Sequence, residues 1–209
     1  MKKAVLFDFD GTLFFGTHAL NTWCFKHALG EMGLPMPTRE AVDRTIGMTF
    51  HDLSVLMTGS EEEEVLAEFG RRVFHWVPIY IQREVTPIPG ERELLQKLRE
   101  KASLAICSNA APDYLLPLLD ALGIRDCFEI IRYHESGGSK AAAIPMLMKK
   151  LGADTAIFAG DRLEDVQAAR MAGIPVAGIR NAAFPEETDG ADTVAATLNE
   201  LFENLHSML

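Results

Sequence analysis

Two aspartates, Asp8 and Asp10, lie two residues apart at the end of an apolar run near the start of this 209-residue chain, just before Gly11. In a strand, alternate side chains share a face, so the two carboxylates would project together. Ionised neighbours of this kind repel each other. A cation or a shared proton must relieve them, which points to a metal site or an acid/base couple. The arrangement recurs at Asp161 and Asp165, in the stretch GDRLED after the apolar run Ala156 to Ala159. One pair alone fits a strand ending in solvent, or Asp161 and Glu164 capping a helix. Two pairs are better explained by convergence on one oxygen-ligated Mg²⁺, because open α/β sheets bind ligands at the carboxyl ends of their strands.

A third apolar run, Leu104 to Cys107, ends in Ser108 and Asn109, and Lys140 in GGSK opens a helical pattern. A hydroxyl, backbone N–H groups and an ammonium beside a metal suit the oxygens of a phosphoryl group, whose charge shifts during transfer. Singly, Ser108-Asn109 reads as a turn and Lys140 as a solvated charge; the combination with the aspartates gives them chemical meaning. Cys107 borders this set, but it lies in an apolar strand with no base beside it in sequence and reads as packing.

These residues need elements to position them. Short apolar runs (Ala4 to Phe9, Leu104 to Cys107, Phe128 to Ile131, Ala156 to Ala159, Pro175 to Ile179) alternate with helical spacing at Arg92 to Lys101, Asp113 to Leu122, Ala141 to Leu151 and Asp165 to Ala172. That alternation predicts an α/β fold, a doubly wound parallel sheet covered by helices. Pro117 interrupts one helical pattern and predicts a kink or a late helix start. Between Thr17 and Glu84 the rhythm breaks into helical patterns (Ala19 to Met32, Arg39 to Ile46, Glu62 to Gln82) without a buried strand. The expected division is a catalytic core of residues 1–15 and 86–209 with a helical cap of residues 16–85. Pro87, Pro89 and Gly90 mark the return to the core.

Composition limits the partners. A net charge of −10 and a pI near 5.1 repel nucleic acid and anionic lipid. The acidic run Glu61 to Glu64 reads as a helix N-terminus. Three widely spaced cysteines, Cys24, Cys107 and Cys127, build neither a disulfide framework nor a zinc pattern, and a cytoplasmic location is expected. The N-terminal apolar run is cut short by Asp8 and Asp10, and no stretch has the length to cross a membrane.

DFDGTL at Asp8 to Leu13, Ser108-Asn109, Lys140 and GDRLED at Gly160 to Asp165 resemble the four ordered motifs of the haloacid dehalogenase superfamily, over essentially the whole chain. The helical insert between the first two motifs resembles the cap of the subgroup containing phosphoglycolate phosphatases and β-phosphoglucomutases. The resemblance implies that Asp8 is a nucleophile forming an aspartyl phosphate, and that Asp10 is the general acid and base. It implies that Asp8, Asp161 and the backbone carbonyl of Asp10 hold Mg²⁺, with Asp165 ligating it or orienting its waters. Ser108 and Lys140 would hold the phosphoryl oxygens, helped by Asn109 and the backbone around Gly11 and Thr12.

An aspartate at position 10 favours phosphate chemistry over dehalogenation within the superfamily. Leu20 falls where the mutases are expected to carry a histidine, and Gly47-Met48-Thr49-Phe50 lacks their arginine, so a phosphatase is expected before a mutase. The substrate is expected to be a small phosphomonoester of phosphoglycolate, sugar phosphate or nucleoside monophosphate type, and the enzyme a monomer or homodimer. A non-catalytic binding protein on the same fold is the third reading. Phe14, Phe15, His18, Arg44 and His51 are candidate cap or linker contacts, and Phe15 departs from the acidic residue common after DGTL. Trp23, Trp76, Met146 and Met148 read as core or cap interface.

Overall fold

Alternate residues of the first strand face two different apolar layers. In the computed structural model, which describes residues 1–134 and 138–209, β1 (Lys3–Phe7) places Val5 and Phe7 in one buried cluster and Ala4 and Leu6 in another. The same split holds for β2 (Ser103–Cys107) and β4 (Thr155–Gly160). A strand buried on both faces needs helices on both sides, which is why these runs are almost continuously apolar.

With β3 (Ile130–Arg132), β5 (Val176–Ile179) and β6 (Thr193–Ala195), the strands form one parallel sheet in the order β3-β2-β1-β4-β5-β6. This is the doubly wound order, and chain direction across the sheet reverses between β1 and β4. The helices α5 (Glu91–Arg99), α6 (Pro112–Leu122), α7 (Lys140–Leu151), α8 (Leu163–Met171) and α9 (Leu198–Met208) belong to this layer structure. Ile144 and Leu147 of α7 join the Ala4–Leu6 side, and Leu115 and Leu119 of α6 join the other.

Four helices lie between β1 and α5: α1 (Thr17–Glu31), α2 (Arg39–Arg44), α3 (Phe50–Thr58) and α4 (Glu63–Glu84). Thr38 and Thr49 cap α2 and α3 by accepting hydrogen bonds from the backbone N–H groups of Ala41 and Asp52. Glu63 and Glu64 occupy the first turn of α4, as the acidic run suggests. Trp23 and Trp76 meet edge to face, 5.4 Å between ring centroids, where α1 packs on α4.

The structure corrects the sequence expectations in several places. The first strand ends at Phe7 instead of Phe9, because the carbonyl of Phe9 accepts from the N–H groups of Thr12, Leu13 and Phe14 and folds the chain into a turn. The third strand starts at Ile130, after a 3₁₀ turn at Arg125–Cys127. Helix α6 does not start late: Pro112 opens it and Pro117 lies inside it. Met146 is 58% exposed, since the buried face of α7 is formed by Ala143, Ile144, Leu147 and Leu151. Elements α3 and β6 are too short for the alternation to reveal them, and α9, with apolar residues at Leu198, Leu201, Phe202 and Leu205, extends the pattern beyond the last expected strand.

Glu91, in the first turn of α5, is fully buried, and neither carboxylate oxygen has a hydrogen-bond partner among the described residues. Burial pushes its carboxyl up from 4.5 to about 8. The folded state therefore holds the proton more tightly than the unfolded chain, so the contribution of Glu91 to stability is full below pH 4.5 and is lost as pH rises towards 8. Glu91→Gln should be the more stable form at pH 8, by about 2–4 kcal/mol, and should flatten this decline. Urea unfolding of both proteins across that range checks it; parallel curves would exclude the titration.

Candidate active site

Asp8 follows β1, and its backbone N–H still donates to the carbonyl of Ala159 in β4, 2.8 Å. Its side chain meets Lys140, whose Nζ lies 3.0 Å from Asp8 Oδ2 and donates to Asp165 Oδ1 at 2.7 Å. All three residues are buried to within 2% exposure. Lys140 is the first residue of α7, and Ser139 before it caps that helix by accepting from Ala142 N–H. Asp165 lies in the first turn of α8, where its second oxygen accepts the N–H groups of Asp161 (3.2 Å) and Arg162 (3.1 Å). Gly160 is needed beside it: a Cβ there would overlap the Asp165 side chain.

Asp161 follows β4 and is also fully buried. Asn181, just beyond β5, donates to its Oδ2 at 2.6 Å, and the Thr12 hydroxyl donates to its Oδ1 at 3.2 Å. Gly11 turns with φ +78°, and any side chain there would run into the Asp161 carboxylate, so glycine is required on both counts. One carboxylate oxygen each from Asp8, Asp161 and Asp165 lie within 4.8 Å of one another. Three buried carboxylates thus share one ammonium, an acidic surplus that fits an oxygen-ligated cation.

Charge and burial explain the proton affinities. Burial raises the Asp8 carboxyl well above the ordinary aspartate value; Lys140 opposes this, and Asp165, Asp161 and Asp10 add to it. Burial, then Asp165, push Asp161 up to about 7, against the hydrogen bond from Asn181. Burial alone would lower Lys140, but Asp165 and Asp8 outweigh it and hold the ammonium well above the usual lysine range.

Asp10 does not share this cluster through its side chain, contrary to the common face expected of the two carboxylates. The turn at Phe9 separates them, and Asp10 Oδ1 accepts instead from the Thr17 hydroxyl at the start of α1 and the Tyr114 hydroxyl of α6, both at 2.7 Å. Burial raises its carboxyl, while these two hydrogen bonds pull the other way. Ser108 follows β2; its Oγ accepts from Ala110 N–H at 3.1 Å, which leaves the hydroxyl proton free to donate. The Asn109 amide donates to the carbonyl of Gly47 and to Glu164, each at 3.2 Å, so it joins the segment between α2 and α3 to α8. Arg162 reinforces this junction by donating to the Ile46 carbonyl at 2.7 Å.

Of the other candidates, Phe14 is buried and stacked on Phe9, Phe15 is 51% exposed, and His51 is exposed on α3. His18 pairs with Asp43 of α2, and Arg44 borders the Gly47–Asn109 junction. Cys107 is buried and its thiol is pushed up to about 12, chiefly by burial, as packing requires. Thr17, Tyr114 and Asn181, which hold Asp10 and Asp161, were not legible in the sequence: each lies far along the chain from its partner or carries no motif.

The sheet order and the aspartates at the ends of β1 and β4 define an α/β enzyme with an acidic site at the switch point of the sheet. Residues 5–179 match the family model of haloacid dehalogenase-like hydrolases. A phosphoglycolate phosphatase of Pseudomonas savastanoi pv. phaseolicola is 32% identical over 187 residues, covering 83% of this chain and 68% of that protein. A protein named tyrosine-protein kinase PtkA from Mycobacterium tuberculosis is 28% identical over 219 residues, covering 97% of this chain and 72% of its own. The crystal structure of a predicted phosphoglycolate phosphatase from Haemophilus somnus 129PT superposes with a TM-score of 0.85 at 22% identity, covering 100% of this chain and 98% of that one. The chain belongs to the haloacid dehalogenase-like hydrolase family, and it is an enzyme of the phosphatase type within it.

Removing Lys140 would leave Asp8 and Asp165 buried together without a counter-charge. Lys140→Ala should therefore lose about 3–5 kcal/mol in urea unfolding with chelator present. A loss below about 1 kcal/mol would mean that the carboxylates simply take up protons.

Proposed function

We propose that this chain hydrolyses a small phosphomonoester through an aspartyl phosphate on Asp8, with Mg²⁺ in the acidic site. The observation that carries this reading is the separation of two neighbouring carboxylates into different environments. Asp8 lies against Lys140 in the acidic cluster, whereas Asp10 is held by Thr17 and Tyr114. Two carboxylates with different surroundings can divide the work of nucleophile and acid.

Asp8, Asp161 and the backbone carbonyl of Asp10 would hold the metal. Asp165, with one oxygen on Lys140 and the other on two backbone N–H groups, is suited to orienting the site. Bound Mg²⁺ supplies neutralisation of the phosphoryl oxygens. In the first step an Asp8 oxygen forms a bond to phosphorus as the bond to the alcohol oxygen breaks, and Asp10 gives that oxygen a proton. In the second, Asp10 takes a proton from water while the water oxygen attacks phosphorus. The bond to Asp8 then breaks, returning its carboxylate and inorganic phosphate. Lys140 and the free Ser108 hydroxyl proton neutralise the phosphoryl oxygens throughout.

Residues 16–85 are a cap over the core of residues 1–15 and 86–209, and its closure excludes water during the first step. The names of the relatives favour an ester of the phosphoglycolate kind, with sugar phosphates and nucleoside monophosphates as alternatives. Three buried, unbridged cysteines support a reducing cytoplasm.

Phosphate release from a panel of small phosphomonoesters, with Mg²⁺ and with chelator, tests the reading. Asp8→Asn should lower turnover at least 10³-fold, by roughly the loss seen when a covalent nucleophile is removed, and chelator should abolish release. Substantial turnover by Asp8→Asn would exclude the covalent route. Asp10→Asn should slow esters of poor leaving groups far more than p-nitrophenyl phosphate, which needs little protonation. Equal losses on both would remove Asp10 from the acid role.

A further inference from the structure

The general acid must face the oxygen that leaves with the alcohol, so the space over Asp10 is where that alcohol sits. A cavity of about 40 Å³ borders Asp10, with Thr17 and Tyr114 at its base. At roughly 10–15 Å³ for each water-sized group, it accommodates only a few heavy atoms. Its walls are Leu20 and Phe25 of α1, Phe50 of α3, and Val73, Phe74 and Val77 of α4.

Most of the hydroxyl and amide donors in this cavity are engaged, while the Asn21 amide oxygen has no donor among the described residues. Thr17 and Tyr114 donate to Asp10. Asn21 donates to the Thr45 hydroxyl at 3.2 Å, which itself donates to the carbonyl of Val42 at 2.6 Å. No lysine, arginine or histidine lines the cavity among the described residues. A substrate carboxylate here would be buried beside Asp10 without a cation, which is strongly unfavourable. A single hydroxyl could meet the Asn21 amide, but the several hydroxyls of a sugar would face mainly the apolar walls.

The neighbouring cleft, about 390 Å³, does contain Arg39, Arg180 and His18, but Asp10 does not border it. Its arginines are exposed and only loosely paired, Arg180 3.5 Å from Asp189 and Arg39 3.8 Å from Asp43, so water screens the charge they offer.

We infer that the leaving group accepted by this site is a compact, uncharged and largely apolar alcohol, an inference that rests on the phosphatase reading above. It departs from the glycolate ester that the relatives' names suggest.

Isobutyl phosphate and 2-phosphoglycolate form a matched pair, because two methyl groups replace the two carboxylate oxygens on the same branched skeleton. With Mg²⁺ present, kcat/KM should favour isobutyl phosphate by about tenfold or more, the scale on which an unpaired buried charge is rejected. Met48→Arg, which puts a cation at the rim of the cavity, should shift that ratio towards 2-phosphoglycolate by about tenfold. Equal or better turnover of 2-phosphoglycolate by the natural sequence would overturn the inference, as would an unchanged ratio in a folded Met48→Arg protein. Turnover of p-nitrophenyl phosphate with neither matched ester accepted would also overturn it while leaving the phosphatase reading intact. No release from any of the three would remove the phosphatase reading itself.

Discussion

A buried ammonium between two buried carboxylates organises this molecule. Lys140 can enter the interior only because Asp8 and Asp165 meet it there, and their charges hold its ammonium protonated against the cost of burial. The contact ties the start of α7 to the end of β1 and the first turn of α8. Asp165 extends the constraint by accepting two backbone N–H groups, which fixes the exit of β4 and presents Asp161 to the same cluster. Asn181 and Thr12 then fix the orientation of the Asp161 carboxylate.

Asp10 shows how one short motif can supply two kinds of carboxylate. The turn closed by the Phe9 carbonyl separates it from Asp8, and its partners come from α1 and α6 instead of the sheet. Thr17 begins the first of the four inserted helices, so the placement of those helices and the orientation of Asp10 are mechanically linked. Asn109 and Arg162 add further bonds from the sheet side to the carbonyls of Gly47 and Ile46. The residues that border Asp10 are therefore drawn both from the helices between β1 and α5 and from the segment that follows β2.

Relatives of this chain carry names as different as phosphoglycolate phosphatase and tyrosine-protein kinase. A shared fold permits that diversity, since function depends on side chains grafted onto it. Around Asp10, leucine, phenylalanine and valine side chains from α1, α3 and α4 form the apolar part of a small cavity.

The sequence by itself determined the doubly wound sheet, because buried parallel strands require apolar runs and their helices require periodicity. It also determined the positions of Asp8, Asp161, Ser108 and Lys140, because each follows or faces a strand end in a recognisable motif. It could not reveal β6, whose three residues are too few to show a period, whereas α9 carries a helical stripe at Leu198, Leu201, Phe202 and Leu205 that is legible beyond the last expected strand. Only the tertiary structure decided that Asp8 and Asp10 diverge, since that depends on three hydrogen bonds to one carbonyl and not on the alternation of a strand. It alone brought Tyr114, Thr17 and Asn181 to the carboxylates. Tyr114 donates across 104 residues, and a hydrogen bond at that separation is set by the packing of helices and leaves no local pattern to read.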